Sequence, residues 1–196
     1  EGDGVAEGII KGMYLFRAGA PARKSRGKAK PKPRVQLLGS GTVLREVIAG
    51  ADLLADDFGV AADVWSAPSF TELRRDGLDT ERWNLLHPTE PPRQSYVTTC
   101  LADRPGPVIA ATDYIRTFAD QIRPFVPGTY KVLGTDGYGR SDYRRKLRRF
   151  FEVDRHFVAL AALQALAQEG AVPVETVAKA ITKYGIDPEK PNPARS

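Results

Sequence analysis

The chain of 196 residues is 42% hydrophobic and 27% charged with a formal net charge of +5, an ordinary globular composition with length for one well-cored domain. Its longest nearly apolar run, Phe157 to Ala167, falls short of the roughly 18 residues that a membrane helix needs. Cys100 is the only cysteine, which excludes an intrachain disulfide, and His87 and His156 are the only histidines, too few soft ligands for a structural zinc.

A reducing, cytoplasmic setting is therefore expected, with no membrane contact. The start is acidic and glycine-rich, unlike a signal peptide. It begins with Glu1, and its one methionine is Met13, so residues 1–196 are expected to be a single domain of a longer protein. The excess positive charge is local. Arg17 to Arg34 carries eight basic residues and no acid, and without it 21 basic residues face 24 acidic ones. With its prolines and glycines the segment 18–34 reads as a basic, flexible loop, a solvated insertion in preference to a polyanion-binding arm. No nucleic-acid partner is expected.

In chain order, Ile9 to Phe16 has the aromatic and β-branched content of a short strand. Val35 to Leu38 is an apolar strand ending in Gly39-Ser40-Gly41. Thr42 is a candidate N-cap for a helix whose apolar positions run from Leu44 to Ala55 and which Gly59 closes. A strand over Ala62 to Ser66 follows, and then Thr71 to Leu86, read as one or two short helices. Val108 to Thr112 is the next strand. It leads to a helix predicted over Tyr114 to Val126, near whose end Pro124 lies. The strand Tyr130 to Leu133 enters the turn Gly134 to Asp142 (GTDGYGRSD), and a charged amphipathic helix runs from Asp142 to Glu152. In that helix Tyr143, Leu147, Phe150 and Phe151 share one face. Asp154 can cap the next helix, whose predicted stripe is Phe157, Leu160, Leu163 and Ala167 and which ends at Gly170. Pro173 opens a last helix, Val174 to Tyr184, and residues 186–196 form a proline-rich extended tail.

Alternating strands and helices predict an α/β fold: a three-layer α/β/α sandwich on a mixed five-stranded sheet. The first strand has no crossover helix before the second, so it is expected to pair antiparallel, as a hairpin partner.

Three glycine motifs invite a ligand. Gly2-Asp3-Gly4 matches the opening of the thiamine-diphosphate motif, but the Asn pair needed some thirty residues later is replaced by Lys, Arg and Pro. Gly39-Ser40-Gly41 begins like a dinucleotide fingerprint, yet Leu44 stands where the third glycine allows close packing. Gly134 to Ser141 is a near miss to a phosphate loop with Arg140 in place of lysine, and Asp136 and Asp142 would repel phosphate. A structural turn is preferred, with Gly137 and Gly139 at positive φ, Ser141 or Asp142 as N-cap, and Arg140 paired with Asp136 or Asp142. An independent enzyme that takes a phosphate ligand on Gly134–Ser141 is the alternative. Neither histidine belongs to a recognisable nucleophile-and-base pattern.

The runs EGIIKGMYL (7–15), VQLLGSGTVLREV (35–47), FGVAADVWSAPSFTELRRDGLDTERWNLLHP (58–88), ATDYIRTFADQIRPFVP (111–127), VLGTDGYGRSD (132–142), FFEVD (150–154) and YGIDPEKPNP (184–193) resemble the C-terminal region of the homodimeric bacterial pyruvate dehydrogenase component. The resemblance covers nearly the whole chain in order. It implies a transketolase-like C-terminal domain with one antiparallel strand. It also implies that the intact enzyme decarboxylates pyruvate on thiamine diphosphate with Mg²⁺, held by two preceding domains, and then acetylates a lipoyl group of dihydrolipoyl acetyltransferase. The expected partners are a second copy of the chain, those preceding domains, and the acetyltransferase. No catalytic, cofactor-binding or metal residue is expected in this chain. Gly137, Gly139, Arg140, Ser141 and His87 are candidates for an anion or subunit contact.

Overall fold

The computed structural model describes residues 4–20 and 32–196. Most of the basic segment 18–34, from residue 21 to residue 31, lies outside the described residues.

A central sheet takes five strands: β1 (Tyr14–Arg17), β2 (Arg34–Gly39), β3 (Ala61–Ser66), β4 (Val108–Ala111) and β5 (Tyr130–Leu133). Their order is β1-β3-β2-β4-β5, all parallel except β1, which runs antiparallel to β3. The mixed five-stranded sheet with one antiparallel strand is the expected one. The partner of β1 differs, because β1 lies beside β3 with Leu15 opposite Trp65 and makes no hairpin with β2. The predicted strand also starts too early: residues before Gly12 form helix α1 (Val5–Lys11).

Strand periodicity divides the core. Val35 and Leu37 of β2 face α2 (Leu44–Phe58), α7 (Arg155–Gln168) and α8 (Val174–Lys183), together with Ile109 of β4. Leu38, Trp65, Val108 and Ala110 face α3 (Phe70–Leu86), α4 (Tyr96–Leu101) and α5 (Arg116–Asp120). Both sheet faces are thus covered by helices, the condition under which parallel strands lose their hydrophobic–polar alternation.

Several boundaries depart from expectation. The region 71–86, expected as one or two short helices, is the single long helix α3, capped by the Ser69 hydroxyl, which accepts from the Glu72 N–H. Thr42 caps nothing, for it lies in a short 3₁₀ turn, Gly41–Val43, that leads into α2. The predicted helix 114–126 is reduced to α5 and a 3₁₀ turn, Arg123–Phe125, in which Pro124 sits. In α7 the capping by Asp154 is as expected, but the buried face is Val158, Ala159, Ala162, Leu163, Ala165 and Leu166. Of the predicted stripe only Leu163 is fully buried. Small residues, easily overlooked beside Phe157, let α7 lie close against α2. The tail also gains structure, a 3₁₀ turn at Pro193–Arg195 that the Asn192 side chain caps.

One buried polar cluster threads this core. Asp63 in β3 accepts from the Gly19 backbone N–H, the Gln36 amide and the Arg34 guanidinium, and Trp65 Nε1 donates to Gln36 Oε1 at 2.9 Å. Both described ends of the basic segment are therefore tied to one carboxylate. Burial pushes the Asp63 carboxyl up, but these donors outweigh it and hold it below the ordinary carboxylate value.

Gly106, just before β4, has φ +96°, and a Cβ there would collide with the Arg34 backbone carbonyl. Gly106→Ala should therefore cost about 3 kcal/mol or more, since neither backbone can yield. Gly59→Ala, at φ +65° in open space, should cost only about 1–2 kcal/mol. Urea unfolding midpoints of the two variants compare them directly.

Candidate functional site

In the sheet order, β2 sends the chain outward to β3 on one side, while β4 and β5 fill the other. Ligands of open α/β sheets bind at such a reversal, in the crevice beyond the carboxyl ends of the strands. Here that crevice measures about 510 Å³, and three loops meet in it, bringing Thr42 after β2, Asp113 after β4, and Thr135, Gly137, Gly139, Arg140 and Asp142 after β5. Helix α6 (Arg144–Phe150) closes the far wall with Arg144, Leu147 and Arg148.

Glu46 holds that wall in place. From the first turn of α2 it accepts from Arg148 Nη1 of α6 at 3.0 Å and from Arg155 Nε of α7 at 2.9 Å, and it takes the Arg155 backbone N–H as well. Burial acts to raise the Glu46 carboxyl, and the bonds from Arg155, with the charge of Arg148, outweigh it and hold the carboxyl low. Arg148 Nη2 also donates to the Thr42 hydroxyl and carbonyl, so the loop after β2 and helix α6 share one guanidinium.

The turn 134–142 departs from expectation in four respects. Asp136 faces away from any anion cradle, accepting from the Arg116 N–H at 2.9 Å and pairing with its Nε at 3.0 Å. Gly137 does have positive φ, +104°, and the Pro193 carbonyl occupies the place of a side chain. Gly139 has no positive φ. The helix starts later than predicted, with Tyr143 as N-cap and no side-chain cap, while Asp142 accepts the Tyr143 N–H. Arg140 pairs with neither Asp136 nor Asp142: its guanidinium lies over the Phe150 ring, 4.2 Å from the centroid. A stacked planar cation costs less to order than a free one, which explains the preference. Ser141 is exposed.

His87 does not line the crevice. It ends α3, stacked on Trp83 with centroids 4.3 Å apart, and its Nδ1 lies 2.8 Å from the Trp83 carbonyl. His156 sits beside Asp154 and Tyr184 at the start of α7. The structure thus brings Gly137, Gly139 and Arg140 together and leaves His87 apart. Sequence reasoning missed Glu46 and Asp63. A visible signal existed for Asp63, a lone charge inside the apolar strand AADVWS.

A second cleft, of about 870 Å³, opens between α3 and the segment 114–125. It exposes Leu78, Tyr114 and Ile115, the last two more than half accessible, and is a largely apolar surface.

Residues 12–154 match the model of the transketolase-like TK C-terminal domain. Over 97% of its length the chain is 63% identical to the pyruvate dehydrogenase E1 component of Cupriavidus necator and 62% identical to that of Pseudomonas aeruginosa. The Escherichia coli K12 relative is 50% identical over the same share. The chain spans about a fifth of the length of these relatives. Among solved structures, transketolase from Campylobacter jejuni superposes with a TM-score of 0.52 at 18% identity, over 80% of this chain and 19% of that one.

Glu46→Gln should destabilise the chain by about 2 kcal/mol at neutral pH, because two guanidiniums lose their shared carboxylate, one of them half-exposed. The folded carboxyl lies below its ordinary value of 4.5, so its contribution is complete above that value and is lost as pH falls through the lowered one. The difference between parent and variant in urea unfolding should therefore shrink with acidification.

Proposed function

The chain belongs to the transketolase-like TK C-terminal domain family, and from that premise we propose that it is the noncatalytic C-terminal domain of a thiamine-diphosphate-dependent pyruvate dehydrogenase. The observation that carries this reading is identity of 50–63% to pyruvate dehydrogenase E1 components along almost the whole chain. Residues 1–196 then act as one domain of a longer cytoplasmic enzyme that decarboxylates pyruvate and reductively acetylates the lipoyl group of dihydrolipoyl acetyltransferase.

In that enzyme thiamine diphosphate supplies the carbanion chemistry and Mg²⁺ anchors its diphosphate. A magnesium–diphosphate site takes one or two carboxylates together with the phosphate oxygens. In this reading the preceding domains hold the cofactor.

The domain's own role is support. The apolar cleft with Leu78, Tyr114 and Ile115 offers the kind of surface that a neighbouring domain or a second copy covers in a homodimer. The rigid sheet beneath it would hold that contact in place while chemistry proceeds elsewhere in the assembly.

Titration of the 196-residue chain with thiamine diphosphate and Mg²⁺ should give no saturable heat. A polypeptide extended to the length of the relatives should bind both and decarboxylate pyruvate. Micromolar binding by the chain alone, or a longer polypeptide inert toward pyruvate with cofactor present, would overturn the reading.

A further inference from the structure

Helix α6 runs against its own local chemistry. Arg144, Arg145 and Lys146 fill its first turn, where no acid and no side-chain cap offset them, although positive charge at that end opposes the helix dipole. Like charges four residues apart, Arg144 with Arg148 and Arg145 with Arg149, weaken it further. Two of these residues serve the fold. Arg148 binds Glu46 and the Thr42 loop, and Arg149 donates to the carbonyls of Tyr184 and Gly185. Arg144 and Arg145 do not: both are exposed and meet no carboxylate among the described residues. Side chains that break a local rule with no return to the fold point to a contact outside it.

The turn before the helix extends the same surface. Arg140 is exposed, and its guanidinium lies over the Phe150 ring beside a groove of about 330 Å³ that Lys146 also lines. Arg140 and Asp142 border both this groove and the crevice that Arg144 lines, so the cations form one continuous surface. Tyr138 and Tyr143 are 83% and 60% exposed, and Lys146 lies over the Tyr143 ring. Tyrosine beside arginine is the composition of a protein interface. Two of the cations are already held on rings, so a partner costs them less side-chain freedom.

Charge decides the kind of partner. A second copy does not suit this patch, because a two-fold contact would set the same arginines against each other. An extended polyanion such as RNA fits poorly too, since Asp142 interrupts the positive charge along its path. A protein places its carboxylates singly, and arginine takes each of them with two parallel hydrogen bonds. We propose that the surface of Tyr138, Arg140, Tyr143, Arg144 and Arg145 docks an acidic segment of a partner protein, its carboxylates on the arginines and its apolar atoms on the tyrosines. The inference stands apart from the dehydrogenase reading, since it rests on this surface alone.

A fluorescent glutamate-rich peptide with interspersed leucines, the same peptide with glutamine for glutamate, and an oligouridylate serve as probes, followed by anisotropy. The 196-residue chain carries serine in place of Arg23, Lys24, Arg26, Lys28 and Lys30, so that the basic segment supplies no binding. The glutamate peptide should saturate, and more weakly as salt rises, whereas the glutamine peptide should not saturate and the oligouridylate should bind less tightly. Arg144→Ala/Arg145→Ala should weaken the glutamate peptide about tenfold, the effect of losing two exposed ion pairs, and Tyr138→Ala should weaken it as well. The same arginine double variant should raise the urea unfolding midpoint, since it removes charge opposed to the helix dipole. Arg74→Ala/Arg82→Ala, which removes equal exposed charge from α3, should leave binding unchanged. A polypeptide of the relatives' length should retain the binding. The proposal is overturned by absence of saturation, by equal binding of the glutamine peptide, by tighter binding of the oligouridylate, or by an equal loss in the α3 variant. It is overturned equally by a lowered urea midpoint in Arg144→Ala/Arg145→Ala, which would make those arginines part of the fold, or by loss of binding in the longer polypeptide, which would show the surface covered by the enzyme's own domains.

Discussion

The Glu46 carboxylate is the constraint on which the upper half of the molecule depends. It lies in the first turn of α2, where negative charge is favoured by the helix dipole, and it binds the arginines of two other helices at once. Without it, Arg148 would keep only its bonds to the Thr42 loop, and the direct ion pair between α2 and α6 would be gone. A short helix of seven residues cannot sustain itself by backbone bonding alone. Its position is set by this charge, by Arg149 donating to the carbonyls of Tyr184 and Gly185, and by Lys190 of the tail donating to the Phe150 carbonyl.

The lower half has a similar hub in Asp63. A carboxylate inside a sheet is costly unless its oxygens are satisfied, and here four residues from three segments surround it: Gly19, Arg34 and Gln36 of β2, and Arg104 before β4. One of them, Gln36, also accepts from Trp65, so the central strand is cross-linked by polar contacts within an apolar layer. Losing Gln36 would leave the buried Trp65 Nε1 without its acceptor and Asp63 Oδ2 without its hydrogen bond, which penalises alternative registers of β2 against β3. The two hubs are alike: each places one acid among several arginines and backbone donors, and each joins elements far apart in the chain.

Much of the fold was legible in the residues. Apolar runs bounded by glycine marked four of the five strands to within a residue or so, and Asp154, Gly59 and Gly170 marked helix ends through local backbone chemistry. The failures have physical causes. Ile9 and Ile10 are β-branched, yet they sit in α1, where both are largely exposed and intrinsic strand preference counts for little without a sheet to pack on. On α7 the expected stripe follows the large side chains, whereas close approach to Gly50 of α2 selects valine and alanine for the buried face. Of the site, the glycine turn could be seen as a place of interest. Arg140, expected on a carboxylate, found an aromatic ring instead, because both nearby acids are taken by better-placed donors.

The sequence by itself determined the α/β class, the mixed sheet with one antiparallel strand, and the family likeness, since these follow from periodicities and motifs carried by neighbouring residues. Only the tertiary structure decided that β1 lies beside β3, that the tail packs under Gly137, and that Thr42, Asp113 and Arg140 share one crevice. Arg148 and Thr42 meet across 106 positions, and no local pattern encodes such a meeting. Charge pairing depends on which loops the strand order gathers at one end of the sheet, and that order is settled by packing two apolar faces at once.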